Sequence, residues 1–286
     1  MVRSSLVVGL ILGIVLGLAG CKTRPKPSET VWKGEKLGAL ARPPKDRPPP
    51  PVFLVTVALD VHIVELPADN IEKLTALWPL LSATPIRLSS YNAFSDNSFR
   101  LLYGKMDRWG QIQELLAQAD AQPVTTVSLT VADNDRTGTD LPIAQIPVAR
   151  PITFVANDLS KQTANVSPGI LALRLWAQPS PWSRGVRKII GRPTHTIPVA
   201  GTIPELQARS QQREFPFDSA AFACEMRPGD LLVLGPEKYT GEWGTLGGLF
   251  FNKPDETLFF NPNKPKPPER KPAIRVYILT CTQVSG

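Results

Sequence analysis

Eight prolines crowd the stretch from Lys22 to Pro51 (Pro25, Pro27, Pro43, Pro44, Pro48, Pro49, Pro50 and Pro51), among few apolar side chains. Proline locks φ and has no amide donor, so a segment this dense in it completes neither helical nor sheet hydrogen bonds. The segment is expected to run extended, rising about 3.1 Å per residue, and to bury no core of its own. Val31-Trp32 is its one apolar pair with an aromatic ring. Whatever folds in this 286-residue chain must therefore fold from residue 52 onward.

Ahead of the tether, an apolar run from Leu6 to Leu18 follows a single Arg3 and leads into Leu18-Ala19-Gly20-Cys21. A charged start, a greasy middle and small residues at the end describe a secretory signal. The run falls short of the roughly 20 apolar residues that span a bilayer as a helix. A cysteine directly behind the small pair resembles the processing site of bacterial lipoproteins, whose thiol is acylated and becomes the new N-terminus. That resemblance implies a signal peptide over residues 1–20 and lipidation of Cys21, with the tether filling 21–51. One acyl chain holds a protein only weakly, at about 0.8 kcal/mol per buried methylene, so a diacylglycerol plus a further palmitate-type chain is what makes such an anchor stable. Lys22, rather than Asp, favours the outer membrane by the same resemblance. The expected location is the cell envelope, lipid-anchored in the outer membrane and facing the periplasm.

The net charge of +7 is not spread evenly. The tether carries a net +5 and the proline-rich stretch from Asn261 to Pro272 a net +3; with Arg3 removed as well, about −2 remains on the folded part. Basic extended segments suit anionic surfaces such as lipid head groups or wall polymers. Nucleic acid is not an expected partner, because the folded part shows no basic and aromatic face. In an oxidising compartment Cys224 and Cys281, each in an apolar strand-like run, leave two readings open: a disulfide between them, or two buried thiols. With two histidines and no ligand-type spacing, no metal or other cofactor is expected.

Val57, Leu59, Val61 and Ile63 alternate with Ala58, Asp60, His62 and Val64, the period of a half-buried strand. Asp69 and Asn70 offer a cap for a helix over Ile71–Leu81, with Pro79 near its end, and Asp107 offers one for a helix through Ile112, Leu115, Leu116 and Ala119. A short strand is expected at 98–103. Beyond Gln122 the pattern predicts strands at 123–132, 141–148, 152–157, 169–177, 186–199, 215–226, 230–234 and 275–284. The expected class is α+β: a small mixed α/β segment over 52–122, then a mainly antiparallel, β-rich region over 123–286.

No nucleophile elbow, phosphate loop or dinucleotide fingerprint is present, and no enzymatic activity or catalytic residue is expected. Asp60 and His62 share a strand face, which fits a polar edge or interface better than a dyad. His195, among Pro193, Thr194 and Pro198, fits a loop or a strand end. Asp133 to Gly138 begins like a calcium loop, but Ala144 stands where the bidentate acid is required, so a hairpin turn is expected. Gly241, Gly244, Gly247 and Gly248 around Trp243 read as turn geometry rather than a lid.

Several segments, in order, resemble the C-terminal secretin domain of type II and type III secretion channels. Val57 to Glu65 resembles its first strand, ending in Ile/Val-x-Glu. Arg108 to Gln118 followed by Pro123 to Val131 resembles its helix-then-strand passage, and Asn134 to Thr139 stands at its polar turn. Gly229-Asp230-Leu231-Leu232-Val233-Leu234-Gly235 resembles a late glycine-bounded strand, Leu246-Gly247-Gly248-Leu249-Phe250 its Leu-Gly-x-Leu-Phe turn, and Val276 to Thr280 its closing run. Pro236 replaces a usual second glycine, and Cys281 the proline of Thr-Pro. The resemblance implies a structural component of outer-membrane protein secretion or transport. Its copies would associate into a homo-oligomeric ring by strand pairing and meet other secretion-system or envelope proteins. The rival expectation is a monomeric scaffold or binding lipoprotein touching cell wall or membrane.

Overall fold

The alternation that opens the folded part becomes a long strand, β1 (Thr56–Pro67). Val57, Leu59 and Val61 are buried on one face, and Val64 and Leu66 on the other where a helical layer covers it. This computed structural model describes residues 55–133, 137–180, 185–197, 214–253, 257–259 and 269–285. The leader, Cys21, the proline-rich tether, Asn134, Pro198 and most of the second basic stretch lie outside them.

Three short elements follow β1: α1 (Ile71–Leu74), running on as a 3-10 turn over Thr75–Leu80, β2 (Arg87–Leu88) and α2 (Tyr91–Asp96). Then come β3 (Phe99–Lys105), α3 (Trp109–Gln118), β4 (Gln122–Ala132) and β5 (Thr139–Ile146). A hairpin of β6 (Arg150–Val155) and β7 (Lys161–Val166) leads to the long pair β8 (Gly169–Pro179) and β9 (Arg187–Thr196). The chain closes through β10 (Phe215–Pro216), β11 (Phe222–Met226), β12 (Asp230–Pro236), α4 (Leu246–Phe251), β13 (Thr257–Phe259), β14 (Glu269–Lys271) and β15 (Ala273–Ser285).

Two antiparallel sheets carry the fold. Sheet I has the order β3-β12-β15-β1-β4, and sheet II the order β2-β11-β9-β8-β5, with β10 added to β9. Between them lies the main core: Val57, Leu59 and Val61 of β1, Leu232 and Leu234 of β12 and Leu279 of β15 share one cluster with Leu171, Leu173 and Leu175 of β8 and Phe222 of β11. The other face of sheet I is sealed by α1, the 3-10 turn after it and α3, whose Leu74, Leu77, Ile112 and Leu116 meet Leu66, Leu231, Val233, Ile274, Val276 and Ile278. Covered on both faces, β12 is buried at all of its positions, which is why it reads as a continuous apolar run instead of an alternation.

The architecture is thus β-rich, mostly antiparallel and mixed with a few short helices. The segment 52–122 and the region 123–286 share sheet I, since β3 pairs with β12 and β1 with β15, and residues 53–286 form one compact unit. The expected helix over 71–81 stays helical for one turn and tightens into the 3-10 turn that holds Pro79. Asn70 does not cap it. Its amide donates instead to Ala119 O at 2.9 Å and Asp120 Oδ2 at 3.2 Å, tying α1 to the end of α3. The expected strand 215–226 is two strands, because a 3-10 turn at Asp218–Ala220 separates β10 from β11.

Candidate assembly surface

The segments singled out in the sequence are scattered over more than two hundred positions, yet four of them are neighbours. Val57–Glu65 lies in β1, Pro123–Val131 in β4, Asp230–Gly235 in β12 and Val276–Thr280 in β15, which are consecutive strands in the order β12-β15-β1-β4. At the β1–β15 seam Glu65 lies opposite Arg275. The Glu65 carboxylate is nearly sealed off and accepts from Arg275 Nε at 2.8 Å and Lys253 Nζ at 3.2 Å. Two cations on one buried carboxylate satisfy its oxygens and hold β1, β15 and the end of α4 together.

The segment Leu246–Phe251 is a buried helix, not the expected turn. Thr245 caps it, its Oγ1 accepting from Gly248 N at 3.1 Å. The two glycines are required by proximity: a Cβ on Gly247 would stand 2.1 Å from Asn97 O, and one on Gly248 1.8 Å from Glu242 O. Phe250 and Phe251 then meet Phe99 and Tyr277 in an aromatic cluster with centroids 4.8 to 6.3 Å apart. The Tyr277 hydroxyl donates to Phe250 O at 3.1 Å. All six residues of α4 are buried, which excludes a lid at this position.

Asp60 and His62 do not form a dyad. Asp60 Oδ1 accepts from Ser128 Oγ at 2.6 Å, while His62 Nδ1 bonds Thr126 Oγ1 at 2.9 Å and its ring lies 5.1 Å from that of Trp109. Both carry the β1–β4 seam as exposed cross-strand pairs. His195 stands at the end of β9, one residue before its last, and is buried there; its Nε2 sits 2.9 Å from Ser167 O, and a Cβ on Gly169 would strike that ring at 2.5 Å. Burial holds its imidazole below the usual histidine range.

Cys224 on β11 and Cys281 on β15 both enter the main core and stand as separate buried thiols. Burial, with the Asp230 charge added, pushes them up to about 12 and about 11 respectively. Asp133, the first residue of the calcium-like run, is nearly buried and ion-paired with Arg187 Nε at 3.3 Å. Among the described residues no group of three His, Cys, Asp or Glu is placed to hold a metal. No helix of the described residues is long and apolar enough to cross a membrane, which leaves strands unaddressed.

Two features had no signal in the sequence. Asn97, buried in the turn after α2, donates from Nδ2 to Ala93 O and Val155 O at 2.7 Å and accepts from Val155 N at 2.8 Å. Its amide thereby substitutes for a neighbouring strand along β6. On the outer face of sheet II, Arg174 forks onto Asp140 at 2.6 and 2.8 Å and also pairs with Glu214. Beside it the Arg192 guanidinium lies over Trp176 at 5.0 Å.

Within sheet I the edges differ. On the β3 edge Ser82 forms an isolated bridge, exchanging two backbone hydrogen bonds of 2.8 Å with Tyr103. Along β4, Val124, Thr125, Thr126, Ser128 and Thr130 are exposed, while Thr130 O accepts from Thr139 Oγ1 at 3.1 Å and Asp133 bridges Ala177. No protein-family model, curated protein or solved structure matches the chain.

Proposed function

We propose that the chain is a lipid-anchored cell-envelope protein of secretin-like character, a structural part of outer-membrane protein secretion or transport without enzymatic activity. The observation that supports this most is the convergence of four collinear secretin-like segments on adjacent strands of one sheet. The Ile-Val-Glu ending of β1 has a structural use at the same place, since Glu65 locks the seam to β15. Cys21 supplies the anchor and the tether the reach, with basic residues to lie against anionic lipid or wall polymer.

A pore is not part of this proposal. A membrane-facing strand pair needs an apolar outer band, whereas the outer face of β8 and β9 carries Arg174, Lys188 and Arg192. Negative-stain microscopy of the full-length lipidated protein in mild detergent tests the reading. Closed rings are expected; small single particles alone would overturn it and leave the monomeric scaffold.

A further inference from the structure

We draw no further inference here: the strongest candidate, the solvent-facing polar patch of sheet I beside the Trp109 ring, pairs Asp60 with Ser128 and His62 with Thr126 across the β1–β4 seam, and nothing in the structure shows what covers it.

Discussion

Glu65 and Arg275, 210 residues apart in sequence, face each other across β1 and β15 and meet at 2.8 Å, with the Glu65 side chain only 5% exposed. Removing one member of such a pair leaves the other's charge without its partner in a poorly solvated place. Glu65→Gln is expected to lower unfolding stability by about 2–4 kcal/mol, because Arg275 and Lys253 both lose their carboxylate. Glu65→Met combined with Arg275→Met is expected to recover part of that loss. Denaturant unfolding of the three proteins measures it; equal stability of Glu65→Gln and wild type would show that the pair contributes nothing.

Gly247 and Gly110 make a contrast within two helices. A methyl group on Gly247 meets the Asn97 carbonyl at 2.1 Å, whereas one on Gly110, in α3, meets nothing within 4 Å. Gly247→Ala must push α4 away from the Asn97–Ser98 backbone and disturb the Phe99 and Phe250 packing, a loss of about 2–3 kcal/mol. Gly110→Ala is expected to stabilise by about 0.4–1 kcal/mol through the unfolded chain. Thermal midpoints that move in opposite directions are the expected result.

Legibility in the sequence followed how far each element's local pattern agreed with its tertiary role. β1, β4 and β15 were readable because they alternate or run apolar for ten residues or more, and α3 because Ile112, Leu116 and Ala119 recur on one face. β7, Lys-Gln-Thr-Ala-Asn-Val, was not: only Ala164 and Val166 are buried, so its strand character comes from pairing with β6. α4 was concealed by Gly247 and Gly248, which read as a turn until the Asn97 and Glu242 carbonyls are seen against them. Asn97 carries no sequence signal, since its value lies in satisfying the edge of a hairpin nearly sixty residues away. The Asp60–His62 spacing correctly indicated one face, but only the structure shows each bonded to β4 instead of to the other.

Buried thiols with raised pKa values present almost no thiolate at neutral pH, and thiolate is the reactive form. Cys224 and Cys281, pushed up to about 12 and about 11 by burial, are therefore expected to resist alkylation in the folded protein. Both are expected to react at once in denaturant without prior reduction, adding two labels to Cys224 and Cys281 by mass. Labels that appear only after reduction would establish a disulfide between them.

His195 ties stability to pH in one direction. Its Nε2 lies 2.9 Å from the Ser167 carbonyl, which can only accept, so the neutral ring carries its proton on Nε2. Burial holds the folded-state value below the ordinary 6.5, and the Ser167 hydrogen bond and the nearby Glu214 charge offset this only in part. Above 6.5 the ring is neutral in folded and unfolded chains alike, and its contribution to stability is complete. As pH falls below 6.5 the unfolded chain takes up a proton that the folded chain refuses, so stability declines until the folded-state value is reached. His195→Gln can donate to the same carbonyl without titrating. The difference in unfolding free energy between wild type and His195→Gln is expected to be flat above neutrality and to tilt against wild type as pH falls below 6.5. A difference that stays constant across that window would show that the buried ring takes up its proton in the folded state as readily as in the unfolded one.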